Sequence, residues 1–220
     1  MIINELYFLL HSLIIGTAAL ISLRLGQQAL IAFVVLCSIL ANLFVLKQII
    51  LFGFDATCSD AYTVGAVFGL NLLQEYFGRP ITQTTIWISS FLLIFYTIVC
   101  QLHLLYIPSV YDTMQEHYLP ILQFMPRIAI ASFIVSFLVQ QCDSFLYGIL
   151  KNYFNGRFLT IRNYISIGVC QLFDTILFSF LGLYGLVHNI WHIIFVSYCV
   201  KLMAMLLTTP FVMMSKKISR

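Results

Sequence analysis

The chain divides into seven apolar runs, each near the length that crosses a bilayer, and this succession limits the fold more than any other feature. A hydrocarbon core about 30 Å thick takes roughly 20 helical residues per crossing. The runs lie at about 6–22, 29–51, 56–77, 82–104, 128–150, 164–186 and 190–213. Composition agrees: 61% of the 220 residues are hydrophobic and 9% charged, against about 25% charged in soluble domains, and mean hydropathy is +0.99. The expected class is an all-α polytopic integral membrane protein with six to seven transmembrane helices, forming a single transmembrane domain over residues 1–220.

Two runs raise questions of their own. The stretch "FGFDATCSDAYTVG" (52–65) brings Asp55, Asp60 and two glycines into the start of the third run. It reads equally as a full span or as a broken, re-entrant segment, which is tolerated only where protein or water surrounds it. The first run, in "MIINELYFLL", opens on Glu5 without a basic leader, so it is expected to remain in the mature chain instead of being cleaved as a signal peptide.

Orientation follows from lysine and arginine in the short loops. With seven alternating spans, Arg24, Arg79, the group Lys151, Arg157 and Arg162, and the tail Lys216, Lys217 and Arg220 fall on one side. The loop over 105–127 instead carries Asp112, Glu116 and only the helix-edge Arg127. The basic side is the cytoplasm, so the chain is expected in the cytoplasmic (inner) membrane with its C-terminus in the cytoplasm and, if all seven runs cross, its N-terminus outside. The net charge of +3 is then loop asymmetry and no sign of a nucleic-acid partner.

Little else in the chain suggests separate chemistry. The six cysteines, at 37, 58, 100, 142, 170 and 199, contain no CxxC and read as small apolar fillers. His188 and His192 share one helical face, but a metal site needs further ligands, so they read as the interfacial start of a helix. An intramembrane enzyme is not expected, since HExxH, GxSxG and histidine pairs within a polar stripe are all missing. Neither a metal nor a cofactor is expected.

What remains is a set of charges within the spans: Lys47, Asp60, Glu75, Asp143, Asp174 and Lys201. Each costs about 2.5–3.5 kcal/mol at a helix centre on insertion scales, so such residues face a cavity or one another. Their neighbours form polar faces. Ser132, Ser136, Gln140, Asp143 and Tyr147 follow helical steps on the fifth run. Gln171, Asp174 and Phe178 do so on the sixth, with Asn163 and Cys170 on the same side, and Ser197, Lys201 and Thr208 line up on the seventh beside Tyr198. One reading is mutual pairing, Asp174 with Lys201, as interhelical glue. The other is a binding surface for a planar nitrogen heterocycle: a carboxylate accepts from adjacent N–H groups, an amide answers a carbonyl and a ring stacks on the face.

The segments "RIAIASFIVSFLVQQCDSFLYGILK" (127–151) and "TIRNYISIGVCQLFDTILFSFLGLYG" (160–185) resemble the hallmark of the queuosine precursor transporters, also called the vitamin uptake transporter family. Arg127, Ser132, Gln141 or Gln140, Asp143, Arg162, Asn163, Ser166, Gln171, Asp174 and Thr175 occupy its pattern positions. "ILANLFVLKQIILFGFDAT" (39–57) resembles the family's second segment, with Asn42 and Lys47 in place, and "YCVKLMAMLLTTPF" (198–211) resembles its last helix, with Lys201 and Pro210. "NLLQEYFG" (71–78) resembles its D-x-x-x-E-x-Y-G motif with two departures, Asn71 for the usual aspartate and Phe77 for the usual tyrosine.

The resemblance covers about residues 4 to 213. It implies a small helical carrier, related in fold to the substrate-binding components of energy-coupling vitamin importers, that imports 7-deazaguanines: 7-cyano-7-deazaguanine, 7-aminomethyl-7-deazaguanine or queuine. A homodimer is compatible with it. A 7-deazaguanine presents N1–H and its 2-amino group side by side, and one carboxylate can accept from both. Asp174 is a candidate for that edge, with Gln171 or Gln140 answering the exocyclic oxygen and Phe178 or Tyr147 stacking; Glu75 or Asp143 is the alternative acid. Lys47, Asn71, Asn163 and Lys201 complete the candidate site. A binding component that depends on a separate ATPase, or a proton- or ion-conducting protein, is the alternative function.

Overall fold

The computed structural model describes the backbone of residues 2–153 and 159–215. It describes side chains over 3–139 and 168–203, with Cys142, Phe145, Leu146, Ile149 and Ile165 between. Helix α1 (Ile2–Leu25) turns at Gly26 into α2 (Gln27–Phe44), and α3 (Asp60–Phe77) turns at Gly78 into α4 (Arg79–Leu105). Both glycines hold positive φ, 108° and 88°, a region that side chains with a Cβ rarely adopt. These two tight turns make antiparallel helix pairs. A short, exposed α5 (Gln115–Leu122) follows, then α6 (Met125–Tyr153), α7 (Leu159–Phe178) and α8 (Ile190–Ser215). Helix α7 ends in a π-helical turn over Ser179–Leu183.

Every apolar run of the sequence meets one of these helices. Among the described residues, four stretches are long and apolar enough to cross a membrane: Ile3–Leu25, Gln27–Phe44, Arg79–Leu105 and Gln115–Val139. Helix α3, with its buried Asp60, is not one of them. Outer faces are apolar: Leu6, Leu9 and Leu13 on α1 and Trp87, Phe91 and Phe95 on α4 are each more than half exposed. Contiguous exposed apolar surface of this kind belongs against lipid.

One part of the all-α expectation is corrected. The second run does not continue as helix to residue 51: α2 stops at Phe44, and a hairpin follows, β1 (Gln48–Leu51) paired antiparallel with β2 (Phe54–Thr57). The break expected inside the third run therefore falls ahead of its helix. The turn residues Phe52 and Gly53 both have positive φ, 52° and 84°, the arrangement that matches strand twist in two-residue hairpins. Hydropathy alone cannot separate a short apolar strand from a helix segment. The hairpin is tied down on two sides. Asn4 Nδ2 donates to the Ile50 carbonyl at 3.0 Å and the Phe52 amide to Glu5 Oε1 at 2.9 Å, while Leu51 and Ala56 bury against Val196 and Val200 of α8.

Helix α3 packs most closely of all against its neighbours. Its sequence G-A-V-F-G (65–69) repeats glycine at the spacing that lets membrane helices approach. A Cβ built on Gly65 would stand 2.3 Å from Ile15 Cγ2, and one on Gly69 2.5 Å from Val34 Cγ2. On this contact α1, α2 and α3 form one cluster around Ala19, Leu30, Val34, Phe68, Leu72 and Leu73. A second cluster joins Val45, Met125, Ile128, Leu183 and Ile193. Arg127 closes it from the side. Its Nε donates to the Leu181 carbonyl at 3.0 Å and its terminal nitrogen to that of Tyr184 at 2.7 Å, satisfying carbonyls that the π-helical end leaves without helical partners.

Candidate functional site

Between the α1–α3 cluster and the later helices lies a cavity of about 360 Å³. Its size falls within the range of small-molecule sites, about 300–1,000 Å³. The walls are mainly apolar, with polar groups supplied by six helices and the residue ahead of α3. From α7 come Gln171, Asp174 and Phe178, from α8 Lys201, and from α6 Ser132 and Ser136. The opposite side adds Ser38 and Asn42 of α2, Ser59 and Thr63 around the start of α3, and Ser89 and Ser90 of α4.

The three α7 residues reach one cavity because steps of three and four keep them on one helical face. Lys201 meets them from α8: its Nζ donates to Asp174 Oδ2 and, at 3.1 Å, to Thr175 Oγ1. The Lys201 side chain is 10% exposed and that of Asp174 29%, so the acid faces the cavity more openly than its cation. The two charges cancel. Ser132 Oγ donates at 2.6 Å to Asn42 Oδ1, whose own amide nitrogen donates to the Ser38 carbonyl at 2.8 Å, and this chain links α6 to α2.

Sequence candidates divide three ways. Gln171, Asp174, Phe178 and Lys201 are brought together. Lys47, Asn71 and Glu75 are not: all three are exposed, Lys47 between α2 and the hairpin, the other two near the C-terminal end of α3, and none lines the cavity among the described residues. Asn71 and Glu75, one turn apart on α3, lie on its exposed face. The side chains of Gln140, Asp143, Tyr147 and Asn163 lie outside the described residues.

The structure also adds groups that reading the charges passed over. On α4 the hydroxyls of Thr82, Thr84, Thr85, Ser90 and Thr97 each bond the carbonyl four residues earlier. Ser89 differs. Its Oγ is enclosed, lacks a partner among the described residues and belongs to a cavity-lining residue. A buried hydroxyl without a partner costs about 1–3 kcal/mol, which a bound solute would offset. The sequence signal is faint, two adjacent serines in a long apolar helix. Asp60, noticed for its charge but given no role, is 4% exposed, and its Oδ1 accepts from Ser197 Oγ at 2.8 Å.

Comparison with known proteins fits this architecture. Residues 61–215 match the family described as "Putative vitamin uptake transporter". The chain is 32% identical over 197 residues to a protein of Bacillus subtilis (strain 168) named "Probable queuosine precursor transporter", a match spanning 87% of this chain and 85% of that protein. No solved structure matches the chain. With its exposed apolar helices, its cavity between them and a family match over most of its length, the chain is a multi-pass membrane protein and belongs to the vitamin uptake transporter family.

Proposed function

We propose that this protein imports queuosine precursors, 7-deazaguanine bases, across the cytoplasmic membrane for use in tRNA modification. The observation that carries the reading is the convergence of Gln171, Asp174 and Phe178 on one cavity, with Lys201 bound to the acid. In this reading Asp174 accepts from N1–H and the 2-amino group through lone pairs that Lys201 leaves open, since a carboxylate offers about four acceptor positions. Gln171 answers the exocyclic oxygen, Phe178 stacks on the bicyclic face, and Ser89 bonds the solute from the opposite wall. The name of the Bacillus subtilis relative supports the solute class.

The neutral Lys201–Asp174 pair argues for a neutral solute. A cationic aminomethyl group would find no spare acid among the described cavity-lining residues, so 7-cyano-7-deazaguanine is the preferred precursor. Asn71, where the family pattern carries an acid, does not bear on this choice because it is outside the cavity lining. The charged loops give the orientation: the C-terminus is cytoplasmic.

The test is growth of cells unable to make the precursor, expressing this chain alone with each base supplied, and measurement of queuosine in their tRNA. Asp174→Asn turns an acceptor into a donor facing a donor and should lower uptake about tenfold or more, as expected for losing hydrogen bonds to a charged group worth about 1.5–3 kcal/mol. Wild-type-level uptake by a correctly inserted Asp174→Asn protein would remove Asp174 from the site.

A further inference from the structure

Lys201 is bonded to one acid, Asp174, and a second acid, Asp60, is bonded to α8 one turn away at Ser197. On α8, Ser197 and Lys201 are four residues apart and share a face. Lys201 is bound to Asp174 and Thr175, whereas Ser197 donates to Asp60. Yet Asp60 Oδ2 is enclosed and has no hydrogen-bond donor among the described residues. With both acids ionised, the three groups would leave one uncompensated negative charge inside the protein. Intramembrane charges of that kind are paired or serve ion and proton pathways.

We propose that Asp60 is a proton-binding site that couples to the solute site through Lys201, so that solute and proton bind together; this rests on the substrate reading above. One proton on Asp60 makes the group neutral and removes the uncompensated charge. The linkage follows from where Lys201 spends its charge. With Asp60 neutral, Lys201 stays on Asp174 and holds that carboxylate in place at the cavity. With Asp60 ionised, Lys201 is shared between two carboxylates and the cavity loses its fixed acceptor. Proton and solute therefore favour each other's binding, reciprocally.

Other titratable groups lie on the elements around α3. Lys201 on α8 is bound to Asp174, His192 of α8 and His188 ahead of it stand 3.3 and 3.6 Å from Asp55 of β2, and His11 of α1 packs edge-on against Tyr62 of α3. Helix α2 carries Cys37 and α4 carries Tyr96. A variant must therefore separate Asp60 from the histidines.

The experiment is binding of 7-cyano-7-deazaguanine, which has no basic amine, to the purified full chain in lipid nanodiscs from about pH 5.5 to about pH 8.5. It is run with and without Na⁺, by calorimetry in two buffers of different ionisation heat. Affinity should fall as pH rises, by at most about tenfold per unit, with up to one proton taken up per solute at the alkaline end and no effect of Na⁺. Asp60→Asn should bind with the affinity of the wild type at acid pH, without pH dependence or proton uptake. Ser197→Ala removes the donor to the ionised carboxylate and should move the transition to higher pH.

Wild-type binding that ignores pH, or that depends on Na⁺ instead, would overturn the inference while leaving the substrate reading intact. So would an Asp60→Asn protein that keeps the wild-type pH profile. Should Asp60→Asn not fold, the wild-type proton count and the Ser197→Ala shift decide the matter. Absence of binding at every pH would overturn the substrate reading and this inference with it.

Discussion

A single aspartate, Asp174, marks the point where charge, geometry and chemistry meet. It stands in an apolar helix and is bound by Lys201, and both line one cavity. Sequence cost alone singled out both residues, because an unpaired charge in a membrane helix is too expensive to be incidental. Cost alone could not say which acids face inward, and so Glu75, exposed near the end of α3, stood with Asp143 as the alternative to Asp174. Ser89 was invisible on the same ground, since a hydroxyl costs little in sequence terms and its significance lies in lacking a partner. The pair makes a testable claim. Lys201→Ala leaves the half-buried Asp174 carboxylate without its cation and should lower stability, by less than the about 3–5 kcal/mol that breaking a fully buried pair costs. Combining it with Asp174→Asn should recover much of that loss in thermal stability in detergent. Strict additivity of the two changes would show that the ion pair contributes nothing to the fold.

At the scale of elements, the helices were legible and the hairpin was not. Runs of about 20 apolar residues can satisfy their backbone in lipid only as helix or closed barrel, so each run met a helix. Residues 48–57 are apolar by the same measure, but Phe52 and Gly53 take positive φ and the chain doubles back on itself. Backbone handedness leaves no trace in a hydropathy profile. The close approach of α3 to α1 and α2 gives a second test. Gly69→Leu would place its side chain where Val34 already sits, a Cβ alone coming within 2.5 Å. Overpacking of this kind costs typically about 1–3 kcal/mol, so thermal stability in detergent should fall clearly. Gly16→Ala, with nothing within 4 Å of a built Cβ, should leave it nearly unchanged. Equal behaviour of the two variants would contradict the packing.

For the whole molecule, the apolar exterior and a cavity that carries a few polar groups match a carrier that faces lipid outside and a small solute within. The excess of lysine and arginine in one set of loops predicts its orientation. In a cysteine-free version that still transports, a cysteine at Asn155, between Lys151 and Arg157, should resist membrane-impermeant thiol reagents in intact cells. Ready labelling would reverse the orientation. The most direct test of the central claim uses the purified chain alone in lipid vesicles, preloaded with 7-cyano-7-deazaguanine and given the radiolabelled base outside. The account expects saturable exchange without ATP, competed by guanine-type bases and poorly by 7-deaza-adenine analogues, whose edge reverses donor and acceptor. It expects about tenfold or greater loss in Asp174→Asn. Exchange that 7-deaza-adenine competes equally well, or that a well-folded Asp174→Asn protein carries out at the wild-type rate, would contradict it.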